Sequence, residues 1–80
     1  MRIYRTEEFF RSFWSAPPHV RGEFRQSLDS ILARGRYRTK EKDLRAAIVD
    51  DWMLYFRYPY LGEAYDPDSC ILLRIGKKGV

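Results

Sequence analysis

Cysteine is almost absent from this sequence: Cys70 is the only one. A single thiol excludes an internal disulfide, so a reducing, cytoplasmic setting is expected. Histidine is equally scarce, with His19 alone. No apolar run approaches the ~20 residues that a membrane-spanning helix needs. No stretch has the pattern of a signal peptide. Internal repeats and linker-like segments are missing too, so the 80 residues are expected to form one domain, 1–80.

What the chain does have is aromatic side chains: six Tyr, five Phe and two Trp. Small domains bury a limited fraction of their surface, and large rings offset part of that shortfall. At 45% hydrophobic residues, the composition excludes a disordered chain. The net charge of +4 is unevenly placed. Residues 1–46 hold eleven Lys and Arg against six Asp and Glu, whereas 47–80 hold four against five. The densest stretch is "RGRYRTKEKDLR", Arg34 to Arg45. Cations interleaved with Tyr37 suit a phosphate backbone, and they equally suit a solvated loop.

Local signals place the elements. Ile3 and Tyr4 favour a short first strand. Thr6 is a good cap, and Glu7 and Glu8 suit the positive first turn of the helix behind it. Phe9, Phe10, Phe13 and Trp14 form one stripe at helical spacing and are expected in the core. "SAPP" breaks the chain at 15–18, and a second helix begins near Pro18. Its face is Val20, Phe24, Leu28, Ile31 and Leu32, with Gly35 marking its end. Two helices joined so closely form an antiparallel hairpin. His19 at the hairpin corner reads as a surface residue. Leu44–Val49 suits a strand, Asp50 and Asp51 a turn, and Trp52–Tyr58 gives the strongest strand signal in the chain. Residues 59–69 read as an acidic loop with hairpin ends, and Cys70–Ile75 as the last strand. Strict alternation in "CILLRI" puts Leu72 and Arg74 on one face and Ile71, Leu73 and Ile75 on the other. The class is α+β: strand, helix, helix, then three strands, with the helical hairpin on a small, mainly antiparallel sheet.

The element order, the strand "DDWMLYFRY" and the ending "LLRIGKKGV" resemble the RelE/ParE toxins of bacterial toxin–antitoxin pairs, in particular the YafQ-like branch. Asp51-Trp52 stands for the Asp-Trp pair that opens an apolar strand there, and Arg74-Ile75-Gly76 for the Arg-containing motif of the last strand. The resemblance implies a RelE-like fold and ribosome-dependent mRNA cleavage without a metal or cofactor. A base takes the proton of a ribose 2′-OH, the oxygen attacks the adjacent phosphate, a cation stabilises the developing charge, and an acid protonates the leaving 5′ oxygen. Carried over by position, Arg74 is the phosphate-stabilising cation and Asp51 a base or orienting group. Trp52 supports the site or stacks on a base. Three positions depart from the pattern: Ala47 and Lys78 stand where relatives carry His, and the aromatic that usually follows is missing. Lys78 then becomes the candidate acid or cation, with Lys77, Lys40, Lys42 and Arg38 as RNA-binding cations.

The resemblance also implies a cognate antitoxin, the ribosome and mRNA as partners, with no membrane role and a monomeric free toxin. Two other readings stay open on the residues alone. One is a non-catalytic, gyrase-inhibiting toxin of the ParE kind. The other is a catalytically decayed module that binds RNA or antitoxin. Everything depends on whether residues 51 and 74 reach one solvent-open hollow.

Overall fold

The computed structural model describes residues 2–34, 37–41, 43–61, 64–66 and 68–78. Of residues 33–38 and 60–65 it describes the backbone at most. The elements are β1 (Arg2–Arg5), α1 (Glu7–Ser15), α2 (Pro18–Gln26), α3 (Leu28–Arg34), β2 (Tyr37–Arg38), β3 (Arg45–Val49), β4 (Trp52–Arg57), β5 (Tyr60–Leu61), β6 (Ala64–Tyr65) and β7 (Ser69–Lys77). The main sheet has the order β1-β7-β4-β3-β2. Its pairs are antiparallel except β1 with β7, which run parallel. The expected α+β layout is therefore present. Two features enlarge it: the two-residue strand β2 on the edge, and a small β5–β6 hairpin inside the acidic loop.

One face of the sheet carries the core. Ala47, Leu54, Phe56, Cys70, Leu72 and Ile75 point there and meet Phe9, Phe13, Val20, Phe24, Ile31 and Leu32 from the helices. The aromatic stripe of α1 is split, which corrects the expectation that all four rings are core. Phe9 and Phe13 are buried, but Phe10 is 49% exposed and Trp14 62%. A nine-residue helix lying flat on a sheet can bury only about a 100° stripe, and residues 10 and 14 fall outside it. The second helix is also not continuous. Ser27 leaves helical geometry (φ −123°, ψ 23°) and separates α2 from α3. Its N–H still bonds to the Glu23 carbonyl, and its own carbonyl accepts from Ile31 N–H, so the interruption lasts one residue.

α1 is fastened to β7 by two hydroxyls. Thr6 Oγ1 accepts from Phe9 N–H (3.1 Å), which caps the helix, and donates toward the Leu72 and Leu73 carbonyls (3.0 and 3.1 Å). One turn and a half later, Ser12 Oγ accepts from Ile75 N–H (2.8 Å). β1 ends at Arg5, beside Leu72, so these side chains take over the edge of β7 that β1 no longer covers. Ser12 stands beside Ile75 one helical turn before the Ala16–Pro18 corner.

The bonds to Thr6 coincide with a bulge. The β4–β7 register passes from Tyr55–Arg74 to Phe56–Leu72, leaving Leu73 with no partner on β4. An extra residue in one strand shifts every later side chain to the opposite face. Leu72 and Ile75 are thereby both buried in the core, while Arg74 is exposed on the outer face. The strict alternation expected for "CILLRI" is thus overturned, because it places Arg74 with Leu72.

Candidate nucleic-acid interface

The outer face is built on β4 and β7. Tyr55 lies opposite Arg74, and Met53 lies opposite Gly76. The Arg74 guanidinium sits over the Tyr55 ring, 4.3 Å from its centroid. The Tyr55 hydroxyl reaches the Met53 sulfur at 3.5 Å. The ring also lies along Gly76, where an added Cβ would meet it at 3.9 Å, an ordinary contact. Arg74 is therefore a charged plane parked on an aromatic plane and open to solvent. Such a guanidinium keeps its fork of donors free for a phosphate, and the cation–π contact limits the rotamers it has to give up on binding.

Asp51 is held at one end of this sheet. Val49 pairs with Trp52, so Asp50 and Asp51 form a two-residue hairpin turn. Asp50 takes the positive φ (52°) that such a turn demands, a conformation that Asp tolerates better than most residues. The Asp51 carbonyl accepts from Lys78 N–H, which extends the β4–β7 ladder by one bond. Trp52 lies opposite Lys77 and packs its half-buried ring against the edge of the core. Asp51, Trp52, Lys77 and Lys78 are thus neighbours, and Asp51, Lys77 and Lys78 are exposed.

Arg74 is not in that group. Tyr55 lies four positions after Asp51, a distance of about 13 Å along an extended strand. The basic loop lies farther away again. β2 joins β3 at the end that pairs Arg38 with Arg45, opposite to the Asp50–Asp51 turn. Thr39 shapes this loop: its N–H donates to the Leu44 carbonyl (3.3 Å), and its hydroxyl accepts from Glu41 N–H (3.2 Å). Lys40 is exposed there. Arg38 is placed by its backbone alone, and Lys42 lies outside the described residues. The site residues expected from sequence are therefore strung along the sheet, with Lys40 at one end, Arg74 midway, and Asp51, Lys77 and Lys78 at the other. They do not converge on a single hollow of nucleotide size. Among the described residues, no group of three or more His, Cys, Asp or Glu is placed to hold a metal.

Two features escape sequence reasoning. His19, on the first turn of α2, comes to the Asp50–Asp51 turn, with its Nε2 at 3.7 Å from Asp50 Oδ2. No spacing rule links positions 31 residues apart. The second feature is a groove of about 200 Å³ between α1 and α2, lined by Phe9, Phe10, Phe13, Trp14, Phe24 and Leu28 with Arg5 and Arg25 on its rim. Arg21 lies over the Trp14 ring at 5.0 Å, and its buried Nε has no hydrogen-bond partner. The exposed half of the α1 stripe could have signalled this groove, had its width been compared with what one sheet face can cover.

No family model and no curated protein matches the sequence. Among solved structures, the fold is similar to that of a chain in the crystal structure of the RelBE2 toxin–antitoxin complex from Mycobacterium tuberculosis. The TM-score is 0.68 over 96% of each chain, at 16% identity. At that identity the likeness is one of fold, and it agrees with the RelE-like layout read from the sequence.

Proposed function

We propose that this chain is the toxin of a type II toxin–antitoxin pair, of the RelE/ParE kind with YafQ-like motifs, and that it cleaves mRNA on the ribosome. Residues 51 and 74 do not share one hollow, so the reading is carried instead by the open Arg74–Tyr55 plane on the outer sheet face, about 13 Å along β4 from the exposed Asp51, Lys77 and Lys78 cluster. An extended single strand suits such a row: cations track its phosphates, and flat side chains take its bases. In this arrangement Arg74 grips a phosphate next to the reacting one. Asp51 orients or deprotonates the attacking 2′-OH, Lys78 stabilises the reacting phosphate or protonates the leaving oxygen, and Lys77, Lys40, Lys42 and Arg38 add affinity. The shared fold with a chain of a toxin–antitoxin complex supports the toxin reading. It also supports a cognate antitoxin as partner. The α1–α2 groove is the place for an acidic, amphipathic antitoxin segment: its lining joins two cations, Arg5 and Arg25, to aromatic rings.

Induced expression tests the reading. Transcripts cut on translating ribosomes are expected. Asp51→Ala and Arg74→Ala should each abolish growth inhibition and cleavage while leaving the thermal midpoint unchanged, because both side chains are exposed. DNA damage without transcript cleavage would instead mark a gyrase-directed toxin.

A further inference from the structure

We propose that His19 is the proton-transferring group of this site, a role that rests on the nuclease reading above. It is supplied by α2 rather than by the strands that carry the family's histidines. Three elements bring the reacting groups to one end of the sheet. α2 places His19 beside Asp50 (Nε2–Oδ2 3.7 Å). The β3–β4 turn holds Asp50 next to Asp51, and the Asp51 carbonyl is bonded to the Lys78 N–H. β7 brings Lys77 opposite Trp52.

The placement of His19 is built into the fold. Thr6 and Ser12 fix the line of α1 along β7. Ala16 N–H then bonds the Phe13 carbonyl, and Pro17 and Pro18 turn the chain. Arg21 N–H bonds the Pro17 carbonyl (3.0 Å), which starts α2 with His19 in its first turn. The charged group shown against the imidazole is the Asp50 carboxylate; Asp51 follows it on the turn, bonded through its carbonyl to the Lys78 N–H, and Glu23 stands one helical turn on from His19 along α2.

Chemistry supplies the rest. Cleavage by 2′-OH attack needs one group that accepts a proton and one that donates, both close to neutral pH. Carboxylates titrate near 4 and lysines near 10.4, so each is available in only one useful form, whereas imidazole titrates near 6.5 and serves in both. Nε2 is the ring nitrogen nearest the Asp50 carboxylate, so Nδ1 is the one left to act as the base. The Asp50 contact is longer than a hydrogen bond, as is common before substrate closes a site. In the step, Nδ1 takes the 2′-OH proton while the O2′–P bond forms. The P–O5′ bond breaks, and the leaving oxygen takes a proton from the Lys78 ammonium. The products are a 2′,3′-cyclic phosphate and a free 5′-hydroxyl.

The test is the pH profile of mRNA cleavage on purified ribosomes, for the wild type, His19→Gln, Asp50→Asn and Asp51→Ala, with circular dichroism to confirm folding. The wild-type rate should rise with pH along a limb that reports loss of a proton from the base. His19→Gln should lose that limb and about 10²-fold or more in rate. Asp50→Asn should keep the limb and lose less rate than His19→Gln, because it removes the neighbour of the imidazole and not the imidazole itself. Cleavage by folded His19→Gln at the wild-type rate and with the same limb would overturn the assignment while leaving the nuclease reading standing. A wild-type protein that cuts nothing would overturn both.

Discussion

Cys70 shows what burial does to a single group. Its thiol is sealed in the core beside Leu72 and opposite Ile3, and burial pushes its pKa up to about 12. In the unfolded chain the thiol titrates near 9.0. The folded value is the higher one, so the linked stability is complete below about pH 9. It is lost as pH climbs from there towards 12, because the unfolded state alone can ionise. Urea midpoints measured from pH 7 to 10.5 should therefore fall more steeply for wild type than for Cys70→Ala. A thiol reagent should label native protein only as fast as it unfolds. The sequence marked Cys70 as a lone thiol at the start of the last strand, and its burial followed only from the side on which β7 meets the helices. Arg74 was a further case. Its identity suggested phosphate, yet its direction was misread, because nothing local to "CILLRI" marks Leu73 as the residue to be skipped.

At the level of elements, that skip and the docking of α1 are one construction. The bulge frees the Leu72 and Leu73 carbonyls, Thr6 accepts the task of bonding them, and Ser12 satisfies Ile75 N–H farther along. Thr6→Ala removes both a helix cap and a tie to the sheet, and should cost about 1–2 kcal/mol in urea unfolding. Thr6→Ser keeps the hydroxyl and should recover most of the loss. The positions of α1, β3, β4 and β7 followed from caps, turns and alternation, all of which act over a few residues. The parallel pairing of β1 with β7 and the approach of α2 to the β3–β4 turn did not, because they are settled by how the packed layers meet.

The whole molecule presents two different surfaces. The sheet face offers cations and a guanidinium–ring stack. The helix face offers aromatic rings rimmed by Arg5, Arg21 and Arg25. Changes to one surface should leave the other working. Phe10→Ser combined with Trp14→Ser alters two exposed rings, so the fold should persist; under the proposed function, transcript cleavage should continue while affinity for an antitoxin segment, measured by titration calorimetry, should drop by about 10-fold or more. Loss of cleavage together with loss of binding would mean that the two surfaces are not independent. The overall class was legible because one apolar sheet face and two apolar helix faces admit few arrangements. The spread of the cations along the sheet was not, since charge carries no positional information until strands acquire neighbours.

The strand order has a temporal side. β7, the latest-made of the described strands, lies between β1 and β4, so until residues 69–77 have left the ribosome the earliest strand has nothing to pair with. Arg74 and the backbone partner of Asp51 arrive in that same stretch. A chain made only as far as β4 therefore has neither a closed sheet nor the outer face on which Arg74 lies over Tyr55.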